Sequence, residues 1–353
     1  MILKSYSTTS QKIIALWAFT EAFLGGILHA VKIPFTGLII GSFALLYISL
    51  LVFFKNKKGQ IIQASIIVIL IKMIISPYTP ALAYFAVFYQ AVLGEILYFQ
   101  GKFKPLSCLI LGFLFSIFSS LQKILSLTLM FGMTLWESID SFINYILREF
   151  SVQTFSEIKY SYFLIGVYFL VHIFIGVVAS IFIIRFINNL SINLKNPEYY
   201  IDINFDVNKS ISSVFQNQKR KKFKLTKFIF YIFLVTLLIL TYISPEKIDL
   251  NYNTVLLMLF RGILVFIIWF KILSPILIKA LRKVYSKKDS KYARDLQFAL
   301  GLQPLLKYIA IESWHKSSKL KGIKKVSYFI KVNIINLILY SPDKSEYILN
   351  HKQ

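Results

Sequence analysis

The sequence predicts an all-α fold: a polytopic membrane helical bundle of about eight transmembrane helices with a basic cytoplasmic tail. Three observations carry this. The 353 residues are 57% hydrophobic and 16% charged, with a mean hydropathy of +0.66, whereas a soluble domain is about a quarter charged. The apolar residues fall in eight long blocks. Basic residues collect in every second loop between those blocks.

A spanning helix needs about 20 predominantly apolar residues. The blocks are residues 13–31, 33–54, 61–76, 81–99, 106–130, 161–186, 228–244 and 254–281. The first is long and runs on into the second, so it reads as a signal anchor and not as a cleavable leader. The third is the shortest and stops at Ser76-Pro77, which makes it the weakest member. The eighth has room to tilt or break near Pro275.

Loop charge sets the orientation, because cytoplasmic loops collect Lys and Arg. Lys55, Lys57 and Lys58 follow block two, and Lys102 and Lys104 follow block four. Lys219, Arg220, Lys221, Lys222, Lys224 and Lys227 end the loop after block six, and the tail from Arg282 holds many more. The intervening loops are neutral or acidic. Pro77-Tyr78-Thr79-Pro80 has no charge, and Glu137, Asp140, Glu149 and Glu157 outnumber Arg148 and Lys159. Both termini are therefore expected in the cytoplasm of a bacterial inner membrane.

The chain divides into four regions: a six-helix membrane bundle (1–187), a cytoplasmic connection (188–226), a two-helix membrane hairpin (227–281) and a basic amphipathic tail (282–353). Within the connection, Ile201, Ile203, Phe205 and Val207 alternate with polar residues at strand periodicity. Between blocks five and six, Leu135, Trp136, Ile139, Phe142, Ile143, Ile146, Leu147 and Phe150 recur at helical spacing, which predicts an amphipathic helix on the outer surface. The alternative is a ninth helix inside the bundle. The tail pairs an apolar stripe (Leu296, Phe298, Leu302, Leu305) with a lysine-rich stretch. Such a pairing suits a membrane surface or a docking surface for a cytosolic partner.

The net charge of +24 is accounted for chiefly by topology, so nucleic acid is not an expected partner. Membrane lipids are. The single cysteine, Cys108, cannot make an internal disulfide and reads as a small buried residue. The chain has no G-x-x-x-x-G-K-[ST], H-E-x-x-H or G-x-S-x-G, and its four histidines are far apart. No cofactor, metal or catalytic constellation is proposed, and an enzyme is not expected.

Ionisable groups in hydrocarbon cost at least about 2.5–3.5 kcal/mol each, so each is a functional candidate. Two acids lie within blocks, Glu21 near mid-depth and Glu95 near a cytoplasmic end. Glu95 reads first as an interfacial carboxylate. Glu21, Gly25 and His29 succeed one another at i, i+4, i+8 and share a helix face. Gly25-Gly26, Gly37 and Gly41 let helices approach closely. Lys72, Gln90, His172 and Arg261 complete a polar set, with Lys32 and Lys123 in the outer half. Lys72 has the option of pairing with Glu21. The substrate-binding candidates are Glu21, His29, Lys72, Gln90, His172 and Arg261, suited to a small anionic solute. For single lysines the alternative is snorkelling to the interface. Aromatic residues load block four (Tyr84, Phe85, Phe88, Tyr89, Tyr98), as a pocket lining or as packing.

Glu21-Ala22-Phe23-Leu24-Gly25-Gly26, the Lys32-Ile33-Pro34-Phe35-Thr36-Gly37 turn and the Pro77-Tyr78-Thr79-Pro80 corner resemble the substrate-binding subunits of energy-coupling-factor vitamin transporters. The resemblance covers residues 1 to about 190. It implies a vitamin-like solute taken from outside, a transmembrane coupling protein and cytosolic ATPases as partners. The later helices and tail depart from that family's pattern. Ala293-Arg294-Asp295 is similar to the Ala-Arg-X motif of the coupling protein, which makes Arg294 a partner-docking candidate. The expected function is membrane transport, and the alternative is a membrane scaffold that recruits cytosolic partners through its tail.

Overall fold

A computed structural model of the chain describes residues 2–31, 35–54, 57–76, 79, 81–99, 101–150, 159–203, 236, 239, 260–265, 267–268 and 291–340. All regular structure among them is helical.

The first apolar block is part of a longer helix. α1 (Ile2–Phe19) passes through a π-helical turn, Thr20–Leu24, into α2 (Gly25–Ala30). α3 (Thr36–Phe53) realises the second block. It is entered from Phe35, whose φ of 67° is uncommon for a residue with a side chain. The Phe35 ring lies 5.7 Å from Tyr168 and 5.2 Å from His172, contacts that hold this conformation.

α4 (Gln60–Ile75) and α5 (Ala81–Leu97) have 16 and 17 residues. At 1.5 Å per residue each is about 25 Å long, shorter than the ~30 Å hydrocarbon core. α4 stops before Ser76, whose successor Pro77 disfavours helical conformation at that residue. α6 (Pro105–Phe131) begins with proline in its first turn, where the missing N–H costs nothing. It ends on Gly132 at φ 76°, a left-handed value open to glycine.

α7 (Thr134–Glu149) is the expected amphipathic helix. It has no buried residue, and Phe142, Tyr145 and Phe150 stand exposed, so it is not a member of the bundle core. Asp140 accepts from the Ser161 backbone N–H at 2.6 Å and from its hydroxyl at 2.9 Å. It thereby caps α8 (Tyr160–Asn188).

Among the described residues, four helices are long and apolar enough to cross a membrane: Thr9–Leu28, Thr36–Phe53, Pro105–Phe131 and Tyr160–Asn188. The expected eight are thus seen as four of spanning length plus the shorter α4 and α5. Blocks 228–244 and 254–281 lie outside the described residues, apart from helical positions 236, 239, 260–265 and 267–268.

α3 is central. Ala44, Leu45, Ile48, Leu50 and Leu51 are buried against α1, α5, α6 and α8. α6 and α8 cross at four small residues. A Cβ built on Gly112 would overlap the Ser180 hydroxyl, and one on Gly176 would overlap the Ser116 hydroxyl. The two helices therefore meet backbone to backbone through reciprocal small-xxx-small pairs. Outward, α6 exposes Phe113, Leu121, Leu125 and Leu129, and α8 exposes Phe163, Leu170 and Phe174. Exposed apolar faces of that extent suit lipid.

α9 (Leu190–Asn193) and a 3₁₀ turn (Pro197–Tyr199) come after α8. Ile201–Ile203 form no strand, and Phe205 and Val207 lie outside the described residues. The Ile201 N–H instead donates to the Asn336 side chain at 2.8 Å, so a side chain has taken the place of a ladder partner. The tail forms α10 (Lys291–Gly301), α11 (Gln303–Lys316) and α12 (Gly322–Leu339). α10 packs on α1 and α4, and α11 and α12 also touch α1. The tail thus packs on α1, where Gln11 and Lys12 bond to it, and on α4.

Candidate functional site

Glu21 sits in the π turn. The Gly25 N–H donates to the Thr20 carbonyl five residues back, which defines the turn. π turns insert one residue into a helix and recur at functional sites. Here the insertion separates residues expected on one face. Glu21 points at α4, where Lys72 Nζ meets its Oε2 at 2.7 Å. Gly25 instead faces Ile40 of α3, whose Cδ1 lies 3.9 Å from a Cβ built there. The i, i+4 expectation assumed 3.6 residues per turn, and the π turn breaks that period.

The ion pair is almost fully enclosed, with side-chain exposures of 2% for Glu21 and 5% for Lys72. Enclosure removes solvent screening, so the two charges are bound to each other. A polar shell adjoins them. Thr20 Oγ1 and Tyr47 Oη lie 2.8 Å apart, and the same threonine hydroxyl donates to the Leu16 carbonyl at 2.8 Å.

The other candidates occupy separate places. Gln90 is buried on α5, its Nε2 against Gly41 at 3.3 Å from a Cβ built there. Its Oε1 is buried without a hydrogen-bond partner among the described residues. His172 is buried on α8, with Nδ1 2.9 Å from the Tyr168 carbonyl and its ring 4.1 Å from that of Tyr168. That contact assigns the proton to Nδ1. Arg261 is buried at the far end of α6, with Nη1 2.6 Å from a Cβ built on Gly132. His29 and Arg294 lie on α2 and α10, with side chains outside the described residues, and Lys32 is outside them altogether. Lys123 is exposed on α6. The structure brings together Glu21 and Lys72, and places Gln90 against Gly41, His172 against Tyr168 and Arg261 beside Gly132. The small residues Gly37, Gly41, Gly112, Ser116 and Gly176 line a cavity of about 10 Å³, enough for one water.

Glu95 has a structural task. Its carboxylate accepts from the backbone N–H groups of Gly59 and Ile61, the latter at 3.1 Å, and so caps the start of α4. Two residues that the sequence did not single out hold the tail. Gln11 Nε2 donates to Asp295 at 2.7 Å. Lys12, buried, donates to the Tyr340 carbonyl and to that of Ile338 at 3.4 Å. Lysine at the start of an apolar block reads as a topology charge, which masks this role.

Comparison with family models, with curated proteins and with solved structures finds no match. The geometry itself defines the class: among the described residues the regular structure is all helical, with four helices of membrane-spanning length and an enclosed Glu–Lys pair within the bundle.

Proposed function

We propose that the chain is an integral inner-membrane transport protein whose solute path includes the Glu21–Lys72 pair. The pair is the observation that carries this reading. Ionisable groups within membrane spans are rare and mark substrate, ion or proton pathways. Its seat on a π turn supports the same reading, since single π turns inside α-helices recur at functional sites. In this arrangement Lys72 neutralises Glu21. An anionic solute that engages Lys72 would displace the carboxylate, and Glu21 would then take a proton or a cation. Gln90, His29, His172 and Arg261 are the further polar groups along the path.

The chain acts with both termini cytoplasmic, eight spans and a basic cytoplasmic tail. Its first six helices serve as a substrate-binding subunit of the energy-coupling-factor type, for a small anionic or vitamin-like solute. A coupling protein and ATPases dock from the cytoplasm, with Arg294 at the contact. Uptake of radiolabelled water-soluble vitamins and small carboxylates by expressing cells tests this. Glu21→Gln and Arg261→Ala should each abolish the uptake of the active solute while the protein stays in the membrane. Unchanged uptake in both variants would remove the transport reading.

A second reading has its own observation. Ile323 is 86% exposed, Trp314, Ile311 and Val326 are exposed with it, and Lys325 Nζ stands 3.9 Å from the Trp314 ring centroid. An apolar and basic face of this kind serves a scaffold that recruits cytosolic partners. Pull-down with the full chain and with a chain cut before residue 291 separates the two. Identical partner sets would remove the tail from recruitment.

A further inference from the structure

Where α8 leaves the bundle, a groove of about 420 Å³ opens between it and α12. Phe182, Arg185, Phe186 and Asn189 line it at i, i+3, i+4 and i+7, one stripe of α8. Ile192 and Asn193 of α9 continue the stripe, and Lys331 of α12 forms the facing wall. The volume lies in the range of small-molecule sites.

Its chemistry is two-sided. Arg185 and Lys331 bring two cations to it, and no carboxylate lines it among the described residues. Asn193 Nδ2 is buried without a hydrogen-bond partner among the described residues, a donor waiting for an acceptor. Phe182, Phe186 and Ile192 supply an apolar wall. Further up α8 that wall runs into Phe174, Ile175, Val178 and Ile181, all exposed.

Depth fixes the kind of ligand. α8 has 29 residues and is about 43 Å long, against a hydrocarbon core of ~30 Å. Its last turns, with Arg185 and Asn189, therefore stand at the headgroup layer. A ligand there meets cations at one end and a lipid-facing apolar stripe at the other.

We propose that this groove is a binding site for one anionic phospholipid. Its phosphate sits between Arg185 and Lys331 and accepts from Asn193 Nδ2. An acyl chain runs along Phe182 toward Val178 and Phe174. Basic pockets at the cytoplasmic ends of spans favour such headgroups. The bound lipid joins α12 to the end of α8, so it also fixes the tail on the bundle. The proposal does not depend on the transport reading.

Native mass spectrometry of the full chain, released from micelles of mixed phosphatidylglycerol and phosphatidylcholine, tests it. The expected result is retained phosphatidylglycerol at about one per chain. Arg185→Ala with Lys331→Ala should lower that retention at least tenfold at an unchanged melting temperature in phosphatidylcholine. Asn193→Leu should lower it with both cations still in place. Retention of phosphatidylcholine to the same degree, or equal retention by wild type and variants, would overturn the proposal. Displacement of the lipid by millimolar inorganic phosphate would also overturn it, and would assign the groove to a free anion. Should the double variant unfold, Arg185→Gln alone decides: lipid lost at an intact fold supports the site, and lipid retained as in the wild type contradicts it.

Discussion

Glu21 and Lys72 hold each other's charge inside a space that water does not reach. Removing one partner leaves the other buried and uncompensated, at a cost of about 3–5 kcal/mol. Glu21→Gln and Lys72→Met should each lower the melting temperature of detergent-solubilised protein by several degrees. Glu95 is different in kind. It caps α4, and Glu95→Ala should cost about 1 kcal/mol with no effect on the Glu21 environment. A thermal melt of both variants compares them, and an equal loss would contradict the distinction. These residues were partly legible. Acids inside apolar blocks are conspicuous, and the Glu21–Lys72 pairing is an inference from charge and depth. The π turn was not legible, because one extra residue in a turn leaves no mark in composition or period. Nor was the partner of Glu95, since a cap joins residues 34 to 36 apart in the chain.

At the scale of elements, the crossing of α6 and α8 sets how closely the bundle closes. Gly176 leaves room for Ser116, and the Gly112 carbonyl lies 3.0 Å from a Cβ built there. Even if the serine rotates, backbone meets the added methyl. Gly176→Ala should therefore destabilise by about 1–3 kcal/mol, as overpacking does. Gly166, on the same helix, has nothing within 4 Å, and Gly166→Ala should be neutral or slightly stabilising. Equal melting temperatures for the two variants would show that the crossing does not limit packing. Among the described residues the first six apolar blocks fold as helices, as hydropathy predicts, and helix ends fall at Ser76-Pro77, Pro105 and Gly132. Of the strand pattern expected from Ile201 to Val207, the described residues Ile201–Ile203 form no strand. Period-2 alternation reports a half-buried extended chain, and here the segment lies on α12, where Asn336 accepts from the Ile201 N–H and donates to the Tyr199 carbonyl.

Over the whole molecule, the tail is fastened to the bundle. Lys12 reaches carbonyls more than 320 residues away, at the end of α12. Asn336, Lys316 and Tyr308 bind the segment that comes after α8. Contacts of such separation have no periodic signal, which is why the tail read as a surface-lying or partner-seeking appendage. Lys12→Met keeps the stem and removes the ammonium. It should raise the rate of limited trypsin cleavage between Lys319 and Lys325 several-fold, and an unchanged rate would show that other contacts hold the tail alone.

Uptake by the doubly neutral Glu21→Gln, Lys72→Met protein separates a working pair from a merely structural one. Losing both charges leaves none uncompensated, so this protein should recover the stability that the single variants lose. If the pair lies on the solute path, the double variant is expected to fold, reach the membrane and transport nothing. Wild-type uptake by the folded double variant would contradict that assignment and leave the pair a structural contact alone.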